Sequence, residues 1–162
     1  MQTQQRWGGA YQLDYSLSDR TYAYSRVAFD EDAFSGFDWR LFAGAGLGHY
    51  FFDSDAFTFK AQGGPGYRYS PIDDTREIDQ TFAFLSETEL DWTIREGVIF
   101  EQDFEITWTE PTSTFLSTTS LSTALTDSIS TGVSFRYRFE TDPPPGRERS
   151  DTILRANIGY AF

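Results

Sequence analysis

At 162 residues the chain is long enough for one domain with its own core and too short to expect two. Its formal net charge of −12 argues against nucleic-acid partners, whose phosphates it would repel, and the absence of cysteine excludes disulfides and thiolate metal sites. Aromatic residues make up 18% of the chain while mean hydropathy is −0.47, so oily and polar side chains must be segregated rather than blended. There is no run of about 18 apolar residues, hence no transmembrane helix, but strands that alternate apolar and polar residues escape that test.

Taken in chain order, the segregation follows the two-residue period that puts successive side chains on opposite faces of a strand. Residues 6–17 place Trp7, Tyr11, Leu13, Tyr15 and Leu17 against Gly8, Ala10, Gln12, Asp14 and Ser16, and Ser18-Asp19-Arg20 then turns the chain. In 21–29, Tyr22, Tyr24 and Arg26 oppose Ala23, Ser25, Val27 and Phe29, two faces that alternation alone does not rank. An acidic loop is expected over 30–36.

Residues 37–51 set Trp39, Leu41, Ala43 and Leu47 against Arg40, Phe42, Gly44, Gly46 and Gly48. After Asp53-Ser54-Asp55, residues 57–69 alternate Phe57, Phe59, Ala61, Tyr67 and Tyr69 with Lys60, Gln62, Gly64 and Arg68. The glycine-rich halves of these segments predict places where the sheet bends or bulky neighbours cross it, and Pro65, lacking a donor, predicts a bulge.

A long polar loop is expected over 71–80. Residues 81–95 then oppose Phe82, Phe84, Leu90, Trp92 and Ile94 to Glu87, Glu89, Asp91 and Arg95. A tight turn at Glu96-Gly97 leads into 98–109, with Phe100, Phe104, Ile106 and Trp108 against Glu101, Asp103 and Glu105. The Ser/Thr-rich segment 114–125 follows a loop at 110–113, and Thr126-Asp127-Ser128 leads to 129–141, where Val133, Phe135, Tyr137 and Phe139 oppose Arg136, Arg138 and Glu140. After the proline-rich loop 142–149, residues 150–162 set Leu154, Ala156, Ile158, Tyr160 and Phe162 against Arg155, Asn157, Gly159 and Ala161.

With no helical period anywhere, the pattern predicts an all-β antiparallel meander of nine strands of roughly 10 to 14 residues, the length that spans a bilayer when tilted. Aromatics gather near strand ends (Trp7, Trp39, Phe57, Tyr69, Trp92, Trp108, Phe139, Phe162), as interfacial girdles do. Short connections alternate with longer ones along the chain, as periplasmic turns alternate with external loops in outer-membrane barrels. The expected fold is most of a transmembrane outer-membrane β-barrel, a single domain over 1–162. Nine strands make the first and last run the same way, so an odd number of further strands, with an export signal, is expected upstream of Met1.

The terminal strand resembles the last strand of bacterial outer-membrane barrels. There, a final Phe with apolar residues at alternate positions is the assembly signal for the barrel-assembly machinery; here the matching residues are Leu154, Ile158, Tyr160 and Phe162. Further motifs are Leu17-Ser18-Asp19-Arg20-Thr21-Tyr22, Phe29-Asp30 with Asp32, Ala43-Gly44-Ala45-Gly46-Leu47-Gly48, and the most specific, Gly63-Gly64-Pro65-Gly66-Tyr67-Arg68-Tyr69. With Tyr137 to Glu140, Pro143-Pro144-Pro145-Gly146, Asp151-Thr152 and Ile158-Gly159-Tyr160-Ala161-Phe162, they make the chain resemble the family of salt-induced outer-membrane proteins. This is a domain of unknown function of Gram-negative bacteria. The resemblance covers nearly the whole chain and the carboxy-terminal part of the family domain. It implies an outer-membrane barrel in contact with lipid and brings no established activity or catalytic residue.

The sharpest candidate chemistry is the acidic face shared by Glu87, Glu89, Asp91, Glu101, Asp103 and Glu105. A hairpin matching faces around Gly97 sets Asp91 opposite Asp103 and Glu89 opposite Glu105, a repulsive arrangement unless compensated. Arg40, Lys60, Arg68, Arg136, Arg138 and Arg155 share the inward parity of other strands and supply that compensation. These twelve residues are the candidate lumen charge network: a structural set of ion pairs filling a narrow barrel, or a cation-attracting lumen or weak divalent site with small ions as partners. The loop runs Asp30-Glu31-Asp32 and Asp73-Asp74 read first as solvated tips and second as calcium bridges to lipopolysaccharide.

No enzyme is expected. The lone His49 sits on the apolar parity without a nucleophile, and Gly44, Gly46 and Gly48 lead into no helix that could cradle a phosphate, so no cofactor is expected either. The main rival is a soluble lipocalin-like β-barrel, its oily face turned inward around a small apolar ligand.

Overall fold

The computed structural model describes residues 6–32, 37–71, 78–110, 112–126, 129–143 and 148–160. Nine strands follow one another: β1 (Arg6–Ser16), β2 (Thr21–Asp32), β3 (Phe37–Asp53), β4 (Phe57–Pro71), β5 (Ile78–Arg95), β6 (Val98–Thr109), β7 (Thr114–Ala124), β8 (Ile129–Glu140) and β9 (Ser150–Tyr160). Each pairs antiparallel with the next, giving one sheet in simple chain order, the meander expected from the alternation. The strands run further than alternation suggests at one end, where β2 carries its pattern through Asp30 to Asp32 and β5 starts at Ile78.

The strand ends joined through 17–20, 54–56, 96–97 and 125–128 stand at one end of the sheet, and those joined through 33–36, 72–77, 110–113 and 141–149 at the other. The first set is never the longer, but 33–36 and 110–113 only equal 17–20 and 125–128, because β2 continues into the acidic segment. The contrast in length is therefore softer than the sequence suggests.

The sheet is rolled. Side chains of strands far apart in the order meet across its concave face: Gln12 of β1 reaches Gln62 of β4, Arg26 of β2 reaches β5 and β6, and Arg40 of β3 reaches Glu140 of β8. In a flat sheet, strands about 4.8 Å apart would hold such partners well out of reach. Among the described residues β1 and β9 do not pair, so the roll is open along one seam.

Polarity is distributed inside out. The concave face buries Arg40, Gln62, Arg68, Ser70, Thr109 and Glu140, whereas Phe82 and Ile158 on the convex face are each 83% exposed and Leu154 is 71% exposed. The apolar interior consists of Tyr22, Tyr24 and Leu85, with Phe42 and Tyr50 packed against them. These rings explain the glycines. A Cβ on Gly48 would strike the Tyr22 ring, one on Gly46 the Tyr24 ring, and one on Gly44 or Gly66 the Phe42 ring. Bulky neighbours do cross the glycine-rich halves of β3 and β4, as expected.

The bulge expected at Pro65 is not there. Register is unchanged from Gly44↔Gly66 to Leu47↔Gly63 on one side and continuous through Pro65↔Phe84 on the other. The β3–β4 ladder skips the two intervening pairs, so the missing donor falls in that gap. Irregularities occur instead near strand ends, between Asp30 and Asp32, Tyr50 and Phe52, and Thr93 and Arg95.

On the convex face the aromatic rings form two belts. One runs through Trp7–Phe29 at 5.0 Å, Phe29–Trp39 at 5.9 Å and Trp39–Tyr69 at 5.3 Å, and continues at the same end in Trp108–Phe115 and Phe115–Phe139. The other, at the turn end, holds His49–Phe51, Phe51–Phe59 and Phe52–Phe57. His49 is exposed in this second belt, its Nδ1 2.9 Å from the Thr21 hydroxyl.

Candidate functional site: a charged lumen

The concave face gathers charges from six strands into three groups. At the centre, Arg26 donates from Nη1 to Glu87 and from Nη2 to Glu105 at 3.1 Å, spanning from β2 to β5 and β6. Glu87 also accepts from the Gln62 amide, whose oxygen receives the Tyr22 hydroxyl at 2.8 Å and whose amide also donates to Gln12 at 3.2 Å. Toward the turns, Lys60 pairs with Glu89 at 2.7 Å, its ammonium 5.9 Å from the centre of the Tyr50 ring. Toward the opposite end, Arg40 holds Glu140 through both Nη atoms, at 2.8 and 3.4 Å, and Arg138 donates to the same carboxylate at 2.8 Å while lying 3.8 Å from Asp30. Arg68 donates to the Thr112 carbonyl at 2.9 Å.

This is how charge survives burial. Removing a guanidinium or carboxylate from water is costly unless hydrogen bonds and an opposite charge replace the lost solvation, and bidentate Arg–carboxylate geometry does both. Of the twelve residues singled out in the sequence, Arg40, Lys60, Glu87, Glu89, Glu105 and Arg138 enter these pairs. Arg136 donates to the Thr118 hydroxyl at 3.4 Å. Asp91, Glu101, Asp103 and Arg155 are exposed, without an ion pair among the described residues.

The β5–β6 register differs from the one expected. Glu87 faces Glu105, Glu89 faces Asp103 and Asp91 faces Glu101, one pair out of step with Asp91 opposite Asp103. The irregularity between Thr93 and Arg95 is the cause: it absorbs one residue beside the two-residue turn, and faces still match. Among the described residues no three Asp, Glu or His side chains converge as a metal would require, so the weak divalent site finds no support.

Arg26 is the central residue that alternation misses. It shares its face with Tyr22 and Tyr24, and two large rings make that face look like the oily one. Glu140 and Asp30 stand on the correct parity but at the edge of expected loops. The usable signal is the run Gly44, Gly46 and Gly48 on the neighbouring strand, which pairs with Arg26, Tyr24 and Tyr22 and leaves room on that face for the two rings.

Two cavities lie along the concave face. One of about 570 Å³ is lined by Gln12, Arg26, Glu87, Glu89, Asp103, Glu105 and Arg136 among others. The second, about 460 Å³, lies nearer the end with the longer connections, and Arg26, Glu105 and Arg136 border both.

The model of the family described as "Protein of unknown function, DUF481" matches residues 1–162. The chain belongs to the DUF481 family. One relative of this DUF481 chain is "Uncharacterized protein YdiY" of Escherichia coli (strain K12), 24% identical over 149 residues. The match takes in 91% of the chain but 58% of YdiY, so the chain spans little more than half the length of this curated relative. Among solved structures, the NanC porin superposes with a TM-score of 0.64 at 11% identity, over 97% of this chain and 79% of that one. At that identity the likeness concerns the fold alone: a sheet rolled as in a β-barrel. Of the assembly-signal residues, Leu154 and Ile158 stand on the convex face, Tyr160 pairs with Ile129 through its backbone, and Phe162 lies outside the described residues, as do Asp73 and Asp74.

Proposed function

We propose that this chain is part of an integral outer-membrane β-barrel of a Gram-negative envelope, its convex face in lipid and its concave face lining a narrow passage for small solutes. The observation that carries the reading is the inversion of polarity. Arg40, Gln62, Arg68, Ser70, Thr109 and Glu140 are buried inside, while aromatic and branched side chains cover the outside between two aromatic belts. A soluble barrel would have to leave Phe82, Leu154 and Ile158 in water, where an apolar surface of that extent is unfavourable, whereas lipid accepts it at no cost. A lipocalin-like alternative needs the opposite arrangement, an apolar pocket; here the interior is a chain of ion pairs. Membership of DUF481, the YdiY relative and the porin-type fold support the same reading.

Folding from urea tests it. The full-length protein is expected to acquire β structure and heat-modifiable electrophoretic mobility only when diluted into detergent or lipid vesicles. Stable β structure in plain buffer would rule the membrane reading out.

A further inference from the structure

The two cavities differ in sign, and the difference identifies a class of ligand. The cavity nearer the turns is bordered by Glu87, Glu89, Asp103 and Glu105 against Arg26 and Arg136. The cavity nearer the longer connections is bordered by Arg26, Arg40, Arg68, Arg136, Arg138 and Arg155 against only Asp30 and Glu105. Carboxylates already hold Arg26, through Glu87 and Glu105, and Arg40 and Arg138, through Glu140, and Arg68 is engaged by the Thr112 carbonyl.

Arg136 and Arg155 are not so held. Ser134 pairs with Arg155 and Arg136 with Ile153, so the two guanidinium-bearing residues are diagonal neighbours on the concave face of β8 and β9. Like charges in that relation repel unless compensated. Among the described residues neither has a carboxylate within ion-pair distance; Arg136 meets only a hydroxyl. Asp151, in register with Arg138, is exposed and does not border the cavity. Arg136 is half-buried, where a cation without a counter-charge is costly, and Arg155 beside it is exposed to the cavity; the planar fork of each is matched by a carboxylate or phosphate oxygen pair.

We infer that this cavity binds a small free anion bearing carboxylate or phosphate groups, with Arg136 and Arg155 as its principal ligands. The inference rests on the barrel reading above and assigns the solute class of that same lumen. Arg136, bordering both cavities, then stands where an anion entering the arginine-lined half meets the acidic half and is repelled.

Calorimetric titration of the folded full-length protein in neutral detergent, with succinate and with inorganic phosphate, provides the test. Binding of at least one is expected, weakened about tenfold by Arg136→Gln and less by Arg136→Lys, which keeps the charge and loses the fork. Arg155→Gln should weaken it similarly, and Lys60→Gln, in the other half of the lumen, should not. Heat-modifiable mobility of each variant distinguishes lost binding from lost folding. Absence of binding to either anion, binding indifferent to both arginines, or binding seen only with phosphorylated lipid present would overturn the inference. Protein that inserts into vesicles but binds neither anion refutes the inference and leaves the barrel reading intact. Protein that folds in buffer and still binds phosphate through Arg136 does the reverse.

Discussion

Glu87 and Glu105 face each other directly across the β5–β6 ladder and share one guanidinium, that of Arg26 on the opposite wall. Two carboxylates so placed repel, and Arg26 turns that repulsion into a clasp that ties β2 to the β5–β6 hairpin. Arg26→Met should destabilise the folded protein by about 3 kcal/mol in urea titrations from vesicles, because it leaves two half-buried acids facing each other without their shared cation. Adding Glu87→Gln and Glu105→Gln to that variant should recover most of the loss; no recovery would show that Arg26 acts through packing alone. At this scale the sequence is legible where parity is unambiguous: Arg40, Lys60, Glu87, Glu89, Glu105 and Arg138 stand on the concave face with the parity that alternation assigns them. Arg26 escapes because the same face of β2 carries Tyr22 and Tyr24, whose rings fill the interior above Gly48 and Gly46 instead of facing outward. Residue chemistry cannot separate an aromatic that faces lipid from one that fills a lumen; the glycines opposite it can.

Strand limits are the element-scale feature that alternation resolves best, since each polar turn interrupts the period, and β6 and its neighbours begin and end within a few residues of expectation. Register is harder, because a single absorbed residue re-pairs a hairpin without altering its pattern. The β5–β6 turn depends on Gly97, whose φ of 74° lies in the left-handed region and whose added Cβ would come within 3.2 Å of the Ala124 methyl. Gly97→Ala should therefore cost about 1 kcal/mol, measured by the same unfolding titration, with the fold retained. The two faces of β6 should differ sharply. Phe104→Lys puts a charge on the convex face midway between the belts and should cost about 2–4 kcal/mol, whereas Asp103→Asn on the lumen side should be close to neutral. Equal costs for the two would contradict the assignment of faces.

At the scale of the whole sheet, β1 and β9 are the two edges among the described residues, and they run in the same direction because nine antiparallel strands alternate in sense. Antiparallel closure of the roll therefore takes an odd number of additional strands, and YdiY, which this chain covers over 58% of its length, has the further length to supply them. That parity was readable from the strand count. The rolled shape was not, since it rests on meetings such as Arg40 with Glu140 that no local pattern announces.

The central claim is that the convex face lies in lipid, and the tryptophans report on it directly. Trp7, Trp92 and Trp108 are 62%, 46% and 48% exposed on that face. Their fluorescence should be measured in the full-length protein folded into vesicles whose acyl chains carry bromine, with aqueous iodide as the competing quencher. Strong quenching by the brominated chains with little by iodide is the predicted result. Strong quenching by iodide and none by the brominated chains would place these residues in water and contradict the account.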